Sequence, residues 1–172
     1  MPIIAPKTYE QPKPGIYLGT VIDVVDLGLI QGQNGPYAAL RIFWVLDKND
    51  SKGYPFKIMQ TAPAVISSAS SKKKSRLTLL ASKVLGTDFS GKTFDSELLM
   101  GRSNQLCVEQ NGEYVNVTGI LPFPEGAVAP KAPANFVRNK DIVDKQTFSS
   151  AATQPVRAQI PPVEISDEDI PF

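Results

Sequence analysis

The sequence predicts an all-β fold: a five-stranded β-barrel with one helix between the third and fourth strands, followed by a disordered C-terminal tail. Three observations lead there. Short apolar segments alternate with a period of two and are separated by Gly, Pro and Asn turn signals. A single stretch near the middle changes to helical spacing. Beyond Phe123-Pro124 the periodicity fades into Pro, Ala, Ser and Gln, a composition that cannot bury enough apolar area to offset the ordering of the chain.

Residues 1–14 contain Pro2, Pro6, Pro12 and Pro14 and read as an extended arm. From Gly15 the pattern becomes β, with Ile16, Leu18, Ile22 and Val24 on one parity and Tyr17, Val21 and Val25 on the other. A strand apolar on both faces is buried or bends between two packing surfaces, and Gly19 provides for a bend or bulge. Gly28 to Pro36, with Asn34-Gly35, reads as a turn or loop. The second strand, Tyr37 to Leu46, places Ala38, Leu40, Ile42, Trp44 and Leu46 on one face and Ala39, Arg41, Phe43 and Val45 on the other. Asp47 to Gly53 is a polar connection, and a third strand runs from Tyr54 to about Thr61, with Pro55 setting its start near a sheet edge.

After Pro63 the chain is small, polar and basic, and includes Lys72-Lys73-Lys74. Leu77, Leu80, Ala81, Val84 and Leu85 then follow helical spacing to Gly86, a C-cap. Phe94, Leu98, Leu99 and Met100 are available to close the barrel bottom. Gln105 to Glu109 and Tyr114 to Leu121 flank Asn111-Gly112, the strongest short hairpin signal in the chain. Five strands with a helix after the third is the order of an OB-fold, whereas an SH3-like barrel lacks a helix at that position. The expected organisation is therefore an arm (1–14), an OB-type domain (15–124), a flexible linker (125–163) and a terminal segment (164–172). Within the linker, Phe136, Val137, Ile142, Val143 and Phe148 are unusually apolar, which fits a segment docking on the barrel, with a partner motif as the other reading.

Composition removes several classes of function. The chain has no histidine and one cysteine, Cys107, set in an apolar strand pattern. Triads built on His, multi-Cys metal sites and internal disulfides are therefore excluded, and no tight Asp/Glu cluster suggests a carboxylate metal site. No enzyme, no cofactor and no metal are expected. No apolar run approaches a membrane span and the first residues lack a signal-peptide pattern, so a cytoplasmic protein is expected. The net charge of +1 hides an asymmetry: residues 1–150 carry 17 basic and 13 acidic side chains, net +4, and residues 151–172 one basic and four acidic, net −3. A basic body with an acidic end hints at a polyanionic ligand and a separate basic partner.

The sharpest motif is Asp167-Glu168-Asp169-Ile170-Pro171-Phe172. It resembles the acidic tip of bacterial and phage single-stranded DNA-binding proteins, where acidic residues precede Ile-Pro-Phe; with a longer Lys-rich segment and helix, the body looks more like a phage-encoded version. The resemblance implies a protein that coats single strands in replication, recombination or repair and recruits partner proteins through the tip. The chemistry of the tip fits: Phe172 offers a ring to an apolar pocket, its α-carboxylate an Arg-binding group, Pro171 limits conformational loss, and the acidic residues steer toward a basic rim. A solvated acidic tail is the bland reading, but it does not require Ile-Pro-Phe.

Binding single strands needs cations along a groove and aromatic faces for base stacking. Tyr37, Arg41, Phe43, Tyr54, Phe56, Lys57, Lys72, Lys73, Lys74 and Arg76 are the candidates. Trp44 reads as core, Phe56 and Tyr17 fit core filling as well, and Phe43 suits burial or stacking equally. A Lys run in an arbitrary protein is a solvated loop; beside a barrel bearing this tip it becomes a phosphate contact. The alternative function is an adaptor or inhibitor that occupies a replication or repair partner's pocket with the same tip and binds no DNA. A homo-oligomer is compatible with the sequence, which does not fix the oligomeric state.

Overall fold

The computed structural model describes residues 10–142. The tip, Asp167 to Phe172, and the linker beyond Ile142 lie outside the described residues. Five antiparallel strands form one sheet: β1 (Gly15–Gly32), β2 (Gly35–Asn49), β3 (Pro55–Pro63), β4 (Ser103–Asn111) and β5 (Tyr114–Leu121), in the spatial order β3-β2-β1-β4-β5. One helix, α1 (Arg76–Leu85), falls between β3 and β4, so the all-β, OB-like order expected from the sequence is the order found.

β1 pairs with β2 along most of its length and with β4 only from Gly15 to Thr20, which requires it to bend. Two register shifts, between Val21 and Asp23 and between Asp26 and Gly28, supply the bend. Gly19 matters for a further reason. A Cβ there would collide with the Leu106 side chain of β4, so this buried leucine fills the space that the glycine leaves open.

The core holds Leu40, Ile42, Trp44 and Leu46 from one face of β2, Val21 and Val24 from β1, Ile58 from β3, and Leu106, Val108 and Ile120 from β4 and β5. Trp44, read from the sequence as core, is fully buried. Helix α1 closes one end with Leu77, Leu80, Ala81 and Val84 turned inward. Its start is fixed by Ser75, whose hydroxyl accepts from Thr78 N at 3.2 Å, and its end by Gly86 in the left-handed region at φ 69°. Leu99 is buried in the core and Phe94 and Met100 pack against it, while Leu98 stays exposed.

Two expectations are corrected. Gly28 to Pro36 is not a loop: β1 continues to Gly32 and β2 starts at Gly35, leaving Gln33 and Asn34 as a tight two-residue turn. Polar and glycine residues there look like a loop because a ribbon outside the core gains nothing from apolar alternation. The barrel also does not close. The edges of β3 and β5 approach one another without pairing, and α1 contacts both.

The unit built on this sheet extends past β5 to Arg138. Arg138 donates from Nε to Asp23 Oδ1 at 3.1 Å and from its two terminal nitrogens to the Glu97 carboxylate at 2.9 Å each. Two residues earlier, the ring of Phe136 lies 5.2 Å from Lys57 Nζ. Docking of this stretch on the barrel is thus carried by an ion pair and by the Phe136 ring beneath Lys57, whereas Val137 and Ile142 stay exposed and Val143 and Phe148 lie outside the described residues. A second unit begins at Asn139, and its described part, Asn139 to Ile142, is helical.

Candidate functional site

An open groove of about 1070 Å3 follows the unclosed seam of the sheet. One wall is β3 from Lys57 to Thr61 with Arg41 and Phe43 of β2 behind it, and the other is β5 from Tyr114 to Ile120. Arg76, Leu79, Leu80 and Lys83 of α1 form its floor, and Glu10 to Pro12 of the arm reach its rim.

Local sequence explains why these side chains meet. Phe43 and Met59 are direct cross-strand partners, as are Arg41 and Thr61, so both pairs share the face of the β2–β3 hairpin opposite the core. Arg76, Leu79, Leu80 and Lys83 occupy a single helical stripe at i, i+3, i+4 and i+7. Leu80 anchors the stripe in the core, while Leu79 is half exposed and faces the groove.

The electrostatics are one-sided. Four cations, Arg41, Lys57, Arg76 and Lys83, line the groove against one carboxylate, Glu10. Thr61 draws two of them together: Arg41 Nε reaches its hydroxyl at 3.4 Å and Arg76 reaches its carbonyl at 3.5 Å. Among the described residues none of the four makes a salt bridge. Glu10 is engaged elsewhere, accepting from the Ser51 hydroxyl at 2.6 Å and from Ser51 N at 3.0 Å, and these bonds hold its pKa below the usual carboxylate value. The groove therefore carries an excess of positive charge, four cations against one carboxylate at its rim, next to the exposed ring of Tyr114, the half-buried ring of Phe43 and the exposed Met59. Such a surface suits an extended anion with flat apolar faces.

Of the sequence candidates, Arg41, Phe43, Lys57 and Arg76 come together in the groove. The others lie elsewhere. Phe56 turns inward and packs against the core. Tyr54 is exposed beside the β2–β3 turn, where Asp50 accepts from its N–H at 2.9 Å. Tyr37 stands on the β1–β2 hairpin, its ring against Gly32. Lys72, Lys73 and Lys74 belong to an ordered loop that leads into α1, where Ser67 Oγ accepts from Ser75 N and Ser71 Oγ donates to the Lys73 carbonyl. Sequence reasoning missed Met59, Leu79, Lys83 and Tyr114. The stripe from Arg76 to Lys83 was a usable signal; Tyr114 carried none beyond its place after a hairpin turn.

Among the described residues no cluster of His, Cys, Asp and Glu is placed to hold a metal ion, and no helix is long and apolar enough to cross a membrane. Fold and groove together define an OB-like β-domain with an open cationic cleft. No protein-family model matches the chain, and no curated protein matches its sequence.

Proposed function

We propose that the chain is a non-catalytic single-stranded DNA-binding protein acting in replication, recombination or repair in the cytoplasm. The observation that carries this reading is the groove: four cations against one carboxylate, none of the four in a salt bridge among the described residues and two of them gathered at Thr61, beside the rings of Phe43 and Tyr114. Single-strand binding without sequence preference rests on the same combination, a positive track for phosphates and π-faces on which successive bases stack. An open seam admits an extended strand, whereas the stiff, wide cylinder of a duplex does not fit between two strand edges. The Asp167–Phe172 segment supports the reading by its resemblance to the tip of single-stranded DNA-binding proteins, and partner recruitment is proposed for it.

Fluorescence anisotropy with a labelled single strand, its RNA equivalent and the matching duplex tests the proposal. Binding that prefers single strands and weakens with added salt supports it. Equal affinity for the duplex, or no binding at low salt, would leave the adaptor reading, in which the tip acts without DNA.

A further inference from the structure

The segment beyond β5 carries a ring that the core does not use. Phe136 is half-buried, yet among the described residues it packs against neither cluster of core side chains. Its place is nevertheless fixed on both sides. Pro133 to Phe136 form a turn, with Phe136 N donating to the Pro133 carbonyl at 2.9 Å. Two residues further on, Arg138 is locked onto Asp23 and Glu97. Earlier in the segment, Val128 to Lys131 line a small cleft with Leu46, Asp47 and Pro55, so the chain runs past the end of the β2–β3 hairpin before it reaches Lys57. A turn and an ion pair thus hold a large apolar ring at the surface, and core packing does not account for it.

What the ring meets is a groove cation. Lys57 Nζ lies 5.2 Å from the centre of Phe136, and Lys57 also lines the seam groove. On the face of the hairpin opposite the core, three cross-strand pairs follow one another: Arg41/Thr61, Phe43/Met59 and Val45/Lys57. Successive pairs on one face stand about 6.8 Å apart, two strand residues on. Phe136 stands beside the last of them. The face therefore reads Arg41, Phe43, Lys57, Phe136, which is cation, ring, cation, ring at a regular interval. An extended strand of alternating phosphates and bases matches that order.

The contact between Lys57 and Phe136 is easily exchanged. A cation over a ring is held weakly at an exposed site, and Lys57 makes no salt bridge among the described residues. Its flexible four-carbon stem lets the ammonium group move to a phosphate while the ring stays where the turn and Arg138 hold it.

We propose that Phe136 is a stacking residue of the single-strand site, supplied by the segment beyond the barrel, and that Lys57 leaves the ring for a phosphate as a base takes the ring's face. The inference rests on the single-strand reading of the groove and extends it. The site then continues past the seam, and the stretch up to Arg138 belongs to it instead of serving as a linker. Because the ring is fixed before the strand arrives, little ordering is lost on stacking.

Phe136→Leu keeps an apolar side chain after the turn and removes the π-face. Affinity of the full chain for a labelled thymidine oligonucleotide, read by anisotropy at several salt concentrations, should fall about tenfold in this variant. The salt slope should be unchanged because no charge is lost, and so should the melting temperature. Lys57→Ala, by contrast, should flatten the slope by roughly 0.7. Phe136→Trp supplies a second measurement. The chain's one tryptophan, Trp44, is fully buried, so the added emission reports on position 136. It should be quenched by the oligonucleotide, with affinity retained. Unchanged affinity in Phe136→Leu, a gain in affinity, as a ring that blocks the site would give, or unquenched Phe136→Trp emission at saturation would overturn the proposal and leave the groove reading standing. A wild-type chain that binds no strand would overturn both.

Discussion

Arg138 Nε lies 3.1 Å from Oδ1 of Asp23, tying the segment beyond the last strand to a carboxylate whose side chain is 1% exposed. The same guanidinium forks onto Glu97, and the two carboxylates together raise its pKa above the normal Arg value. Removing a cation from a buried carboxylate is costly because the remaining charge keeps its desolvation penalty and loses the ion pair that offsets it, even though Val24 N still donates to Asp23 at 2.9 Å.

Arg138→Ala should therefore destabilise the domain by about 3 kcal/mol, measured by urea denaturation, with Arg138→Lys recovering part of the loss. Truncation after Pro124 should cost at least as much as Arg138→Ala, because it removes the same guanidinium and the Phe136 ring with it. A chain cut after Pro124 with wild-type stability would show that the segment only rests on the barrel.

Aromatic positions separate into core and groove. Trp44→Ala should lower stability by about 3–5 kcal/mol, since it empties a fully buried site. Tyr114→Ala, at a side chain 73% exposed, should leave the melting temperature unchanged and weaken single-strand binding by about 1–3 kcal/mol, with little change in base preference. Phe43→Ala should do the same to binding with a modest stability loss. Retained affinity in both variants would rule out stacking on these rings.

The Glu10–Ser51 pair predicts a pH response. Its hydrogen bonds lower the folded-state pKa from the ordinary 4.5, so the stabilisation is complete above that value and disappears as pH falls through the lower, folded value. Ser51 amide exchange, corrected for intrinsic rate, should accelerate below that range in the wild type. In Glu10→Ala, which removes the acceptor, it should already be fast at neutral pH. Exchange insensitive to both changes would show that the arm is not held by this carboxylate.

Much of the fold was legible because the core enforces it. The period-two face of β2 from Leu40 to Leu46, the helical stripe from Leu77 to Val84 and the Asn111-Gly112 turn are each written in residue type at fixed spacing. What was not legible depends on distant pairs. The Arg138–Asp23 bond joins residues 115 apart in the chain, and no local pattern marks either one. The extra length of the β1–β2 hairpin was hidden because residues outside the core carry no burial signal. The groove was half legible: alternation placed Arg41 and Phe43 on the face of β2 opposite Trp44, and Lys57 was a candidate by residue type, but the open seam that brings Tyr114 and Lys83 to them is a property of the folded sheet and not of any segment.

The central claim is that the seam groove holds the phosphate backbone of a single strand, and the salt dependence of binding tests it most directly. Every phosphate that a cation no longer neutralises takes roughly 0.7 off the slope of log affinity against log salt for single strands. Arg41→Ala with Arg76→Ala, at the two guanidinium groups gathered on Thr61, should flatten the slope by roughly 1.4 with the fold intact by circular dichroism. Alanine at Lys72, Lys73 and Lys74, in the loop outside the groove, should change it less. An unaltered slope in the Arg41/Arg76 variant, with full affinity retained, would contradict the claim.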